Sequence, residues 1–182
     1  LFGERYGLHL VIPTMRPIAA WLSLWDEGVR AELLRREPEA LLALGDPGSL
    51  PIGARVEVLR QFATKYGQDG WRGMDVPTDS LRRLAHPELE PAIREAWSQS
   101  SPSSEVRELL IALIDQGALR SCCDMVEEAA TTVDLPDHHR LLAVRAVKTC
   151  GDVDAAERIA ESMLSSPPAW PSSLLAHAIE EL

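Results

Sequence analysis

The sequence predicts an all-α chain of antiparallel helical hairpins stacked as a solenoid, and three observations carry that expectation. Apolar residues recur at i, i+3, i+4 and i+7 along most of its 182 residues. Proline and glycine cut the chain into stretches of helix length rather than strand length. A shift of about 34 residues superposes Gly117 on Gly151, Met125 on Ile159, Ala129 on Met163 and Ala130 on Leu164, so two helix pairs share a length and an apolar pattern. A compact bundle of the same helices is the alternative architecture.

Residues 1–14 mix Gly3 and Gly7 with the apolar run from Leu8 to Ile12 and end near Pro13. They read as a short strand or an extended lead-in, compatible with membership of an upstream domain. Because the chain opens on Leu1 rather than Met, it is expected to be a piece of a longer protein. The helical-repeat domain is expected over residues 15–182. Pro17 suits a first helical turn, and Ile18, Trp21, Leu22 and Trp25 share one face, which reads as core. Asp26 is placed to cap a helix carrying Val29, Leu33 and Leu34. Pro38 breaks that helix and restarts it with Leu41, Leu42 and Leu44, and Gly45-Asp46-Pro47-Gly48 is a stop.

A helix from Ile52 to Tyr66 sets Val56, Leu59, Phe62, Ala63 and Tyr66 on one side. Residues 67–77, GQDGWRGMDVP, form an irregular loop, and a connection of this length in a helical array is either mobile or used for contact. Within it, Trp71 beside Arg72 has the composition of a partner-contact hot spot, set against a Trp71 that folds back as a plug over adjoining helices. Thr78 or Asp79 is expected to cap a short helix through Leu81 and Leu84, and Pro87 to start one with Leu89, Ile93 and Trp97. After a polar break at 100–104, Val106, Leu109, Leu110, Leu113 and Ile114 make the cleanest apolar stripe, ended by Gly117. Cys122, Met125, Val126 and Ala129 point inward from the helix that follows. Pro136 opens a helix through Leu141, Val144 and Val147, with Gly151 at its end. Asp152 is expected to cap a helix whose inward residues are Val153, Ala156, Ile159, Ala160 and Met163, and a Pro-rich break precedes a last helix from Ser172 to Leu182.

Composition narrows the function classes. A net charge of −10 repels phosphate backbones and anionic lipid, so neither nucleic acid nor a membrane surface is the expected partner. No apolar run is long enough to span a bilayer and no signal peptide heads the chain. The three cysteines, Cys122, Cys123 and Cys150, read as reduced thiols, which points to a cytoplasmic setting. No phosphate-binding G-x-x-x-x-G-K-[ST] and no nucleophile elbow occurs. His138 and His139 are adjacent, so on a helix they point about 100° apart and do not easily share a metal; a solvated helix start is the expectation. The remaining His9, His86 and His177 have no partner at a recognisable spacing. No cofactor, metal or catalytic residue is expected.

The stretch from Arg140 to Leu164, RLLAVRAVKTCGDVDAAERIAESML, resembles a HEAT repeat in its Ala-Val first helix, Gly-Asp turn and Ala-rich second helix. Arg16-Pro17 with Ala20-Trp21-Leu22, the run PEALLALGDPGSL from Pro38 to Leu50, and Leu84-Ala85-His86-Pro87 resemble the helical region that follows the nucleotide-binding module in bacterial signalling NTPases of the NACHT/STAND kind. That resemblance implies a HEAT-like array that senses a protein partner or folds back on a neighbouring NTPase domain, often in phage defence. The expectation is thus a non-catalytic scaffold for protein–protein interaction or regulation. The alternative is a helical-bundle enzyme such as a metal-dependent hydrolase, its ligands converging from distant helices. Limited proteolysis is expected to cut first between residues 67 and 77; early cleavage elsewhere, with this loop resistant, removes its assignment as an exposed connection.

Overall fold

The computed structural model describes the chain except residues 6, 69–74, 103, 152, 167, 168 and 182, and gives backbone alone at 5, 8 and 9. Trp71, Arg72 and the expected cap Asp152 lie outside the described residues. Among those described, eleven α-helices follow one small β-hairpin. The hairpin stands where the sequence left strand or lead-in open. Strands β1 (Phe2–Arg5) and β2 (Leu8–Val11) pair antiparallel, with Phe2 opposite Val11, and Gly7 supplies a φ of 75° in the turn between them. The hairpin is tied to the helices by Arg36, whose guanidinium lies 4.9 Å over the Phe2 ring and donates to Gly3 O and Leu10 O at 3.3 and 3.2 Å.

Helix α1 (Arg16–Leu22) leads to α2 (Glu27–Arg36), which Asp26 caps by accepting from the Val29 amide at 3.0 Å. Pro38 restarts the chain as α3 (Glu39–Ala43), and α4 (Ile52–Tyr66) has the bounds that its periodicity predicts. Helix α5 (Thr78–Leu84) begins without a side-chain cap, since Pro77 holds the N-cap position that Thr78 or Asp79 was expected to fill. A 3₁₀ turn at Pro87–Leu89 enters α6 (Glu90–Gln99), and Ser104 caps α7 (Glu105–Gly117). Gly117 is still helical; the left-handed residue is Ala118, with φ 46°. Glycine is needed at 117 for another reason: an added Cβ would come within 2.5 Å of Ala85 Cβ, where the end of α5 passes. Helices α8 (Cys123–Thr131), α9 (Asp137–Cys150), α10 (Val153–Ser165) and α11 (Ser172–Glu181) complete the order.

Alternate helices touch. Helices α3, α5, α7, α9 and α11 pack in succession, as do α2, α4 and α6, and α8 with α10. Each of these rows carries polar links at a nearly constant sequence separation. In one, Arg82 donates to Gln116 at 3.2 Å, Thr149 to Asp115 at 2.6 Å and Arg145 to Glu181 at 2.6 Å. In the other, Arg60 meets Glu95 at 2.8 Å, Arg94 grips Asp124 with two bonds of 2.9 Å, and Arg158 meets Glu127 at 2.5 and 2.8 Å. Exposed pairs of this kind stabilise little singly, about 0–1 kcal/mol, so they set register more than stability. The core between the rows is aliphatic, with Leu33, Leu59, Leu84, Ile93, Leu110, Ile111, Leu113 and Ile159 almost wholly buried.

Arginines in first helical turns tie each hairpin together. Arg30 donates to Ser23 O at 2.8 Å, just past the end of α1. Buried Arg55 donates to Leu50 O and Leu84 O at 2.9 Å, and to Gly48 O. Arg107 donates to Trp97 O at 2.8 Å and Ser100 O at 3.1 Å, at the end of α6, with its guanidinium 3.9 Å over the Trp97 ring. Arg140 is 1% exposed; it donates to Ala130 O at 3.1 Å and Ala169 O at 2.7 Å and lies 4.3 Å over Trp170. Burial lowers the pKa of Arg55, Arg107 and Arg140, yet an arginine stays charged throughout the usual pH range.

Two placements differ from the sequence reading. Trp21 and Trp25 were expected in the core but are 48% and 74% exposed, with Ile18 and Leu22 beside them. Helix α1 instead buries Ala19, Ala20 and Ser23, because the backbone at Gly45 approaches Ala20 so closely that an added Cβ would stand 3.2 Å from it. Small residues win the buried face where main chains nearly touch. Val153, expected inward, is exposed at the first residue of α10. Leu110→Ala is expected to cost about 2–5 kcal/mol in denaturant unfolding, and a loss under about 1 kcal/mol removes it from the core. Arg140→Met is expected to cost about 2–4 kcal/mol, because it strips two buried carbonyls of a charged donor; Arg140→Lys should recover only part of this, lacking the planar fork.

Candidate functional site

Among the described residues, two groups of exposed apolar side chains stand out. On α10, Ala155, Ile159 and Met163 turn toward the core, so Leu164, one residue and about 100° further round, turns away. Leu164 is 82% and Ile179 of α11 62% exposed, and with Ala160, Met163 and Leu175 they line a groove of about 310 Å³. Ala130, 34 residues earlier, is fully buried. Glu157, Glu161 and Glu180 are exposed on the same two helices. The one Lys or Arg of α10 and α11 is Arg158, and Glu127 holds it. The second face is that of α1, where Ile18, Trp21, Leu22 and Trp25 stand next to exposed Ile12 and Met15.

A second cluster gathers donors from α7 and α9. His139 is 1% exposed, its Nδ1 has no hydrogen-bond partner, and its Nε2 stands 3.7 Å from Glu108 Oε2. The ring of His138 lies 4.2 Å from that of His139, centroid to centroid. One ligand atom from each of Glu108, His138 and His139 lies within 4.8 Å of the other two. This corrects the expectation of a solvated helix start with two diverging imidazoles. The rings tilt against each other at 58°, and a carboxylate on the neighbouring helix, thirty residues before His138, completes the set. Sequence spacing could not find Glu108, although Arg107 and Arg140 beside the cluster occupy matching first-turn positions.

None of the three cysteines is in a disulfide. Cys122 and Cys150 are buried and Cys123 half-buried, as expected for a core filler beside a helix seam. Burial pushes the thiols of Cys122 and Cys150 up, for Cys150 together with contact from Cys123, which leaves little thiolate to attack or ligate. Cys123 and Cys150 line a cavity of about 260 Å³ with Arg120, Asp124, Glu127 and Arg158. The charges there are paired: Asp124 is held by Arg94, which lowers its pKa, and Glu127 by Arg158. Glu39 is a buried exception among the mostly outward carboxylates, and it accepts from Tyr66 Oη at 2.7 Å.

No helix among the described residues is long and apolar enough to cross a membrane. Trp71 and Arg72, the residues that the sequence offers for partner contact, cannot be placed beside either face, since they fall outside the described residues. No family model, curated protein or solved structure matches this chain.

Proposed function

We propose that this chain is a non-catalytic interaction scaffold, a HEAT-like solenoid segment that binds a protein partner or a neighbouring domain such as an NTPase module. Its support begins with connectivity. Most helices, α6 excepted, pack on the helix two places further along, and links such as Arg82–Gln116 and Asp115–Thr149 span 34 residues. A stacked array makes those contacts naturally, because each hairpin covers only its neighbours and leaves an apolar face for the next.

The observation that carries the reading is the groove of Leu164, Met163, Leu175 and Ile179 on two helices whose exposed charges include Glu157, Glu161 and Glu180. A helix laid into such a groove anchors apolar side chains at i, i+3, i+4 and i+7. Glu157, Glu161 and Glu180 select basic residues flanking that stripe. The occupant is therefore a basic amphipathic helix, and a second copy of this acidic face would meet like charge. The enzyme alternative has Glu108, His138 and His139 behind it, but His139 is closed from solvent and offers a substrate no approach to its ring. Binding of a labelled basic amphipathic peptide, measured by fluorescence anisotropy, is expected to weaken about tenfold or more in Leu164→Asp/Ile179→Asp with helicity unchanged. Equal binding of an acidic counterpart, or dimerisation through this face in sedimentation, overturns the assignment.

A further inference from the structure

We propose that Glu108, His138 and His139 bind one divalent transition-metal ion of zinc-like chemistry, which clamps the start of α9 to α7. The donor set is two imidazole nitrogens and one carboxylate oxygen, the ligands such an ion takes. Its geometry suits an ion better than direct pairing. The 3.7 Å from His139 Nε2 to Glu108 Oε2 is too long for a hydrogen bond. It is close to the roughly 3.3 Å that separates two ligands of one tetrahedral zinc with bonds near 2 Å.

Burial gives an independent reason. His139 is sealed among packed helices, and its Nδ1 finds no partner among the described residues. A buried imidazole in a native core is ordinarily satisfied through at least one nitrogen, and an orphan needs an explanation. An ion on Nε2, the nitrogen that faces Glu108, fixes the tautomer that keeps the proton on Nδ1, and that N–H is then the outer-shell donor of the site.

The surroundings permit the ion while limiting its affinity. The cluster sits in the first turns of two helices, whose amide ends oppose a cation. Arg107 and Arg140 belong to the same turns, but their guanidinium groups are turned to the carbonyls of Trp97 and Ser100 and of Ala130 and Ala169. Asp137, which precedes His138 in α9, adds compensating negative charge. Toward their other ends, α7 and α9 are already joined by Thr149 and Asp115 at 2.6 Å. At the starts of the two helices the metal replaces the 3.7 Å approach of His139 to Glu108 with two direct bonds to one ion. It acts as a structural or regulatory staple, leaving the docking groove of α10 and α11 untouched, so its failure and that of the groove are separate events.

The test uses the whole chain after chelator treatment. Zinc titration against a chromophoric competitor is expected to show one saturable equivalent, and the cobalt derivative to give tetrahedral visible bands. His138→Ala and Glu108→Gln, both at exposed side chains, are expected to weaken uptake about tenfold or more while circular dichroism stays unchanged. Absence of saturable uptake, uptake unaltered in both variants, or a thiolate-to-cobalt charge-transfer band, which would move the ion to Cys123 and Cys150, each overturns the site.

Discussion

A helix that ends against another helix leaves carbonyls with no partner of their own, and in this chain arginines from the next helical starts supply it. Arg30, Arg107 and Arg140 each sit in a first turn and reach the end of the preceding helix, while Arg55 reaches the end of α5 beyond it. The position is electrostatically awkward for the arginine, since the amide end of its own helix repels a cation. The carbonyl end of the neighbour attracts it, and the planar fork can satisfy two acceptors at once. Two of the four are also covered by tryptophan faces, Trp97 over Arg107 and Trp170 over Arg140, which shield the bonds from water. Remove these arginines and each hairpin would bury unpaired carbonyls where its helices turn.

That device also explains the division between core and surface. Because guanidinium groups close the turns, the aliphatic side chains between rows need only pack, and the core contains few aromatics beyond Phe62, Tyr66 and Trp170. Tryptophans are freed for other duties. Trp97 and Trp170 stack on arginines, and Trp21 and Trp25 lie on an uncovered face. The apolar surface of α1 and the groove of α10 and α11 are exposed apolar patches of the kind that mark interaction sites.

The proposed staple at Glu108, His138 and His139 would act inside this frame. The α7–α9 pair already has an ordered link at one end, so an ion at the other would rigidify a contact rather than create one. A partner bound on α10 and α11, which pack against α8 and α9, would sense that rigidity through the shared helix α9.

The sequence by itself determined the helices. Apolar periodicity located α4 and α7 with their buried faces, Pro38 and Asp26 marked real boundaries, and Met125, Ala129, Ile159 and Met163, read as inward, are buried. These are local signals, since a 3.6-residue period and a capping side chain act within a few turns. What it could not determine was which apolar face is covered. Ile18, Trp21, Leu22 and Trp25 have the spacing of a core stripe, yet a close backbone approach at Gly45 favours Ala19 and Ala20 on the buried side, and that approach is a property of packing. Leu164 and Ala130 align in the repeat and differ wholly in exposure, because burial depends on whether another helix lies above. The longer of the arginine bonds and the Glu108–His138–His139 cluster join residues as far as thirty-one places apart, distances over which the chain encodes no preference until the helices have packed.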